Sequence, residues 1–274
     1  MNPREEFKRV IALPDHEIPL GEAALWIAAE HRADIDVAQR LGELETLATR
    51  FQPRFDECAS GTQRVDFLNE ALFREEGFRG NQLDYSNPEN SFLDRVLDTH
   101  MGIPISLSIL YLEIAERLGL RGAGICFPGH FLAKIHLPDE DVIIDPFIGE
   151  TLTVEACRVR LEEGQGKRVT FDPSMLDDSP RLEVLLRVLR NLKLTYLTNL
   201  EYEEALACSE RMLLINPDDL VEIRDRGLLY RELECAGPAL EDLERYLAAA
   251  PDDRRAKSLE AVVESLRKQV RRMN

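Results

Sequence analysis

The stretch 100-HMGIPISLSILYLEIAERLGLRGAGICFPGHFLAKI-135 decides how this chain is read. Pro104 suits the first turn of a helix, where a missing N–H costs no hydrogen bond. From Ile105 to Leu118 apolar side chains cover almost every face, leaving Glu113, Glu116 and Arg117 as one narrow wet stripe. Such a helix belongs in the centre of a domain. Gly119 is placed to end it in a left-handed turn. Beyond it the period changes. "GAGICF", "HFLAKIHL" and "DVIIDPF" read as short strands, and the second puts Phe131, Ala133, Ile135 and Leu137 on one face. The "PDED" between the last two predicts a hairpin. A buried helix on a small antiparallel sheet is an α+β arrangement.

Towards the N-terminus, residues 1–100 form a helical leader. "EAALWIAAEHR", "DIDVAQRLGELETLATRF" and "RVDFLNEALFREEGF" each combine helix formers with an apolar face. Trp26, the single tryptophan, falls on such a face and reads as core. "RGNQLDYSNPENS" is polar and turn-rich, an ordered loop. Asn90 or Ser91 is expected to cap the helix in "FLDRVLDTH".

Towards the C-terminus the chain repeats. "NPDD" at 216–219 and "APDD" at 250–253 are 34 residues apart. At the same offset Tyr196 matches Tyr230, Ala205 matches Ala239, Leu206 matches Leu240, Arg211 matches Arg245 and Leu213 matches Leu247. A helix–turn–helix period of that length resembles the tetratricopeptide (TPR) repeat. Two repeats are too few for a free-standing solenoid, so they are expected to dock on the preceding domain, with "AKSLEAVVESLRKQVRRMN" as a capping helix. The expected division is 1–178 (leader 1–100, core 101–178) and 179–274 for the helical repeats.

The chain has 274 residues, 34 basic against 51 acidic side chains and a net charge of −17. A field of that sign disfavours non-specific binding to nucleic acid or to anionic membranes. No run reaches the roughly 18 apolar residues of a membrane span, and the first twenty residues lack a signal-peptide pattern. Five scattered cysteines with no C-x-x-C indicate neither a disulfide framework nor a zinc site. The expected location is the cytoplasm.

His130 and Asp145 lie on neighbouring strands, and their odd separation across a hairpin puts both on one sheet face. A register centred between Leu137 and Pro138 would oppose them directly. A four-residue "PDED" loop would offset them by several residues. If they meet, Asp145 would orient the imidazole as the third member of a nucleophile–base–orienter set.

Residues 90–150, through "NSFLDRVLDTHMGIPISLSILYLEIAERLGL", "PGHFLAKI" and "IIDPFIGE", resemble the SirB family, a branch of the transglutaminase-like (papain-like fold) superfamily usually followed by TPR repeats. In active relatives a cysteine begins the central helix, a histidine the next strand, and an aspartate lies on the strand after. The resemblance places His130 and Asp145 at the last two positions and Pro104 at the cysteine's. Proline brings no nucleophile, and the thiolate that a helix N-terminus would stabilise cannot form there.

Three substitutes come into view. Ser106 could serve as nucleophile, against its reading as an early-helix serine bonded to local backbone. Cys126 precedes His130 by four residues, roughly 13 Å along a straight strand, though the Pro128-Gly129 turn could fold it back; the alternative is a structural cysteine. A metal held by His130, His136 and Asp145 has no ligand spacing behind it, and His136 reads as a solvated hairpin residue. The expectation is therefore a protein-interaction scaffold with a degenerate site, no cofactor and no metal, meeting a protein or peptide through its cleft or its TPR surface. The alternative is a hydrolase or acyl transferase that uses Ser106 or Cys126 with His130 and Asp145.

Overall fold

In the computed structural model, which describes residues 2–32, 34–165, 169–251 and 253–273, the leader is helical as its patterning predicts. It contains α1 (Pro3–Ile11), α2 (Leu20–His31), α3 (Val37–Asp56), α4 (Gly61–Asn69) and α5 (Leu93–Thr99). Their starts follow from local chemistry: the side chains of Asn2, Asp36 and Ser60 accept from backbone N–H groups of the first turns of α1, α3 and α4. Trp26 is 9% exposed, with its indole N–H on Glu22.

The expected cap of α5 is corrected. Phe92 occupies that position without a side-chain bond. Asn90 sits one turn earlier, where its amide donates to the Asp84 carbonyl at 2.6 Å and accepts from the Asn81 amide at 2.9 Å. It is spent on holding the loop 81–90. That loop is anchored by a short parallel pair, β1 (Arg79–Gly80) against β2 (Met101–Gly102).

The central helix is α6 (Pro104–Arg117), buried at every position from Pro104 to Ala115. Gly119 follows its cap with φ +82°, a conformation that a side chain would strain. Glu113 does not belong to a wet stripe. It is 5% exposed, accepts from Gly21 N–H at 2.7 Å and from Arg117, and its side chain fills the space that a Cβ on Gly21 would need. A partner distant in sequence replaces the water.

The sheet is a meander in chain order, β3 (Arg121–Ile125), β4 (Leu132–His136), β5 (Asp141–Asp145) and β6 (Glu150–Leu152), antiparallel throughout. Ala133 pairs with Ile144 and His136 with Asp141. Leu137 N–H closes the hairpin on the Glu140 carbonyl, so its turn is Pro138-Asp139. This register lies between the two considered. Helix α7 (Val154–Gln165) follows, and Cys157 and Leu161 join Ile125, Phe127, Leu132 and Ile143 in one apolar cluster.

The chain divides into two units, Met1–Val188 and Leu189–Asn274. Helix α8 (Arg181–Thr198) begins in the first, where both oxygens of Asp15 accept from the N–H groups of Arg181 and Leu182. The second unit contains the end of α8 with α9 (Tyr202–Ile215), α10 (Leu220–Glu232), α11 (Ala236–Ala249) and α12 (Ala256–Met273). The repeat is visible in the backbone: Leu200 (φ 64°) and Glu234 (φ 59°) make the same left-handed turn one period apart. Ala205 and Ala239 are both fully buried, leaving room for close helix approach. Arg211 and Arg245 match in sequence but not in setting, since Arg211 is buried while Arg245 reaches out to Asp218. The capping helix α12 packs Leu259, Val263 and Leu266 on Leu243 and Tyr246 of α11. Of the repeated "APDD", Asp252 lies outside the described residues, as does Asn274, the last residue of "AKSLEAVVESLRKQVRRMN". Among the described residues no helix is long and apolar enough to cross a membrane.

Candidate functional site

Asp145 ends β5 and is fully buried. The chain reverses directly after it: Gly149 N–H donates to the Asp145 carbonyl at 2.9 Å, and Phe147 N–H donates to Asp145 Oδ1 at 3.0 Å. The other oxygen, Oδ2, accepts from His130 Nε2 at 2.9 Å and is also ion-paired to the Arg160 guanidinium. His130 precedes β4, in a turn closed by its own N–H on the Phe127 carbonyl at 3.1 Å. Continued outward, the observed register faces His130 with Phe147, and the two rings meet edge to face at 6.3 Å. The imidazole then reaches two residues along the hairpin to Asp145.

Arg160 was not foreseen from the sequence. It projects from α7 beside the buried Cys157 and Leu161, and its Nη1 lies 3.2 Å from His130 Nε2. A cation flanking the apolar stripe of an otherwise unremarkable helix is the faint signal that could have found it. Burial pushes the Cys157 thiol up from its ordinary value, with the Arg160 charge working against the rise and Asp145 adding to it. A raised, enclosed thiol is a poor nucleophile.

The start of α6 supplies none either. Pro104 is buried at the first helical position. Ser106 is 1% exposed; its hydroxyl donates to the Asn90 carbonyl at 2.5 Å and accepts from Ile103 N–H at 3.1 Å. These bonds close the helix N-terminus and tie it to the loop. Cys126 stands just past β3, partly buried, with its N–H on Ser179 Oγ at 2.8 Å. His136 belongs to a separate group. Its Nδ1 meets Asp141 Oδ1 at 2.8 Å and its Nε2 meets Asp178 Oδ2 at 2.9 Å, while Lys134 Nζ donates to Asp178 at 2.8 Å. With a side chain only 17% exposed, it is not a solvated hairpin residue. Both nitrogens are engaged there, so His136 and His130 do not converge, and no group of three or more His, Cys, Asp or Glu among the described residues is arranged to hold a metal ion.

Two further groups surround His130. Arg187 of α8 reaches the His130 carbonyl through Nη2 at 3.5 Å. Tyr85, from the loop 81–90, packs edge to face on Phe147 at 5.9 Å. Burial pushes the Tyr85 phenol up, and the charge of Arg187 works the other way.

The arrangement bears directly on acyl transfer. That chemistry needs a nucleophile bonded to the imidazole and a carboxylate able to stabilise the imidazolium that forms. Here the carboxylate already has a permanent cation. Arg160 occupies electrostatically the place that a transient imidazolium would take.

Comparison with known proteins agrees with this architecture. The transglutaminase-like superfamily is matched over residues 38–190 and the tetratricopeptide repeat over 192–264. A UPF0162 protein of Xylella fastidiosa (strain Temecula1) is 32% identical over 249 residues, covering 89% of each chain. Protein SirB1 of Salmonella typhimurium is 31% identical over 249 residues, covering 90% of this chain and 93% of its own. The UPF0162 protein YchA of Escherichia coli K12 is 28% identical over 252 residues, covering 92% and 94%. No solved structure matches. In family, order of parts and extent, the chain belongs to the transglutaminase-like superfamily, within the SirB1 and UPF0162 group, with tetratricopeptide repeats following the transglutaminase-like domain.

Proposed function

We propose that this protein is a non-catalytic interaction protein of the cytoplasm, in which a transglutaminase-like scaffold has kept its histidine–aspartate pair as a binding feature and the TPR surface contributes to holding a protein partner. The observation that carries the reading is the Arg160–Asp145 ion pair. A catalytic aspartate must be able to answer the charge that appears on histidine during the reaction, and Asp145 is already neutralised. Pro104 at the head of α6 and the Ser106 hydroxyl committed to the Asn90 carbonyl point the same way. The class of the appended repeats supports a partner that is protein, since TPR arrays present extended surfaces to other chains. The net charge of −17 argues against nucleic acid and anionic membranes as partners.

The test is turnover. Purified full-length protein is incubated with a glutamine-containing peptide plus a primary amine, and separately with an activated ester. The expected result is no product above the rate given by His130→Ala. Amide or ester turnover that disappears in His130→Ala would overturn the reading.

A further inference from the structure

Among the described residues, the hydrogen bonds and ion pairs around His130 bring together one carboxylate, Asp145, and two guanidinium groups, Arg160 and Arg187. Arg160 satisfies Asp145. Arg187 makes no ion pair among the described residues; its one side-chain hydrogen bond there is the long contact to the His130 carbonyl at 3.5 Å. A guanidinium offers five N–H donors, and those of Arg187 not spent on the His130 carbonyl remain available to an acceptor from outside the chain. Arg64 is likewise half-buried without an ion pair among the described residues, but its guanidinium lies over the Phe55 ring, whereas Arg187 stands beside His130.

What lies beside it is apolar and held in place. Tyr85, Phe147 and His130 form a continuous edge-to-face row. The loop that carries Tyr85 also presents Leu83, fully exposed, and the turn that carries Phe147 presents Ile148 at 37% exposure. Gly80 N–H donates to the Phe147 carbonyl at 3.0 Å, so loop and turn are one surface. Asn81, Asn87 and Asn90 pin the loop internally, so little ordering entropy remains to be lost on binding.

We infer that this surface is a carboxylate-binding site for a peptide: Arg187, with the remaining N–H groups of Arg160, receives a glutamate or aspartate side chain of a partner segment whose apolar neighbours lie on Tyr85, Leu83 and Ile148. The charge balance selects the ligand. One uncompensated cation matches a monoanion, whereas a phosphate dianion would want two. The apolar rim selects a segment of protein over a small free acid. The inference rests on the reading of the cleft as a binding site and adds to it the chemistry of what is bound.

The experiment uses the full chain and three probes: acetyl-Leu-Glu-Leu-Phe-amide, the same peptide with glutamine for glutamate, and the same with phosphoserine. Binding is followed by NMR at the arginine Nε–H and tyrosine ring signals. The glutamate peptide is expected to shift Arg187 and Tyr85. Its affinity should exceed that of the glutamine peptide by about tenfold, the value of one charge-assisted hydrogen bond, and Arg187→Gln should remove that preference. Trp26 fluorescence during unfolding verifies that Arg187→Gln remains folded. Equal affinity for the glutamate and glutamine peptides, no shift by about 10 mM peptide, or a preference that survives Arg187→Gln overturns the inference. Tighter binding of the phosphoserine peptide overturns the carboxylate assignment in favour of a phosphate site. Ammonia released from the glutamine peptide and lost in His130→Ala overturns instead the non-catalytic reading, so the two failures are distinguishable.

Discussion

Two charged clusters, one in each unit, are built on different plans. Around Glu222 in the second unit, Lys193 Nζ donates to both carboxylate oxygens at 2.8 and 2.7 Å and to Asp225 at 3.1 Å, Ser209 closes on Glu222, and Arg224 pairs with Asp225. Two cations meet two carboxylates, and the Lys193 and Glu222 side chains are 10% and 4% exposed. Around His130 in the first unit, Arg160 pairs with Asp145 while Arg187 reaches only the His130 carbonyl, beside an aromatic row whose Tyr85 is 53% exposed. A balanced, enclosed cluster serves the fold. The unbalanced one is where the proposed partner would meet the chain.

The sharpest way to break the comparison is to remove Asp145. Asp145→Ala leaves His130, Arg160 and the Phe147 N–H without their shared acceptor, and is expected to destabilise the first unit by about 2–4 kcal/mol. Trp26 lies in that unit, so its fluorescence during urea unfolding reports the loss. A change under about 1 kcal/mol would show that Asp145 is not the centre of the cluster. Lys193→Met attacks the other plan. It strands Glu222 in a nearly dry site and should cost about 2–3 kcal/mol, read by circular dichroism because the second unit contains no tryptophan. The double variant Lys193→Met with Glu222→Gln should recover more than half of that loss, since the stranded charge is gone. No recovery would mean that Lys193 acts by packing and not by charge.

The contrast also explains what the sequence could and could not show. Features set within a few residues were legible. Pro104 and Gly119 bracket α6, alternation marks β4, and the 34-residue recurrence marks a helix–turn–helix period, whose left-handed turn the structure shows at Leu200 and Glu234. Charged side chains whose partners come from afar were not. Glu113 reads as a solvent stripe until Gly21, 92 residues away, is seen against it. Arg160 and Arg187 reach His130 across 30 and 57 residues, and nothing local to α7 or α8 announces that. The meeting of His130 with Asp145 depended on the hairpin register, which the two-residue turn at Pro138-Asp139 sets. Asn90 was legible as polar and structural but not in its role, because a capping residue and a loop anchor share the same chemistry.

A third cluster sharpens the comparison with the smallest expected effect. Asp178 receives Lys134 and His136, with Asp141 alongside, so this group is more exposed than the one at Asp145 and has a carboxylate for Lys134 and another beside His136. Burial pushes the Asp178 carboxyl up, but the Lys134 hydrogen bond and charge, joined by His136, outweigh it and hold the group below its ordinary 3.8. The folded value lies below the unfolded one. Ionised Asp178 therefore favours the fold above about pH 4, and that contribution fades as the pH falls through the folded value. Its side chain is 47% exposed, so solvent screening keeps the effect small. Asp178→Asn should cost about 0.5 kcal/mol at pH 7, and the gap from the parent protein should close at low pH and narrow in high salt. Trp26-monitored unfolding at pH 7 and pH 3 measures it. A gap that stays constant across that range would mean that Asp178 holds β4 by hydrogen-bond geometry alone. Balance of charge would then lose its standing as the property that separates the structural clusters from the one at Asp145.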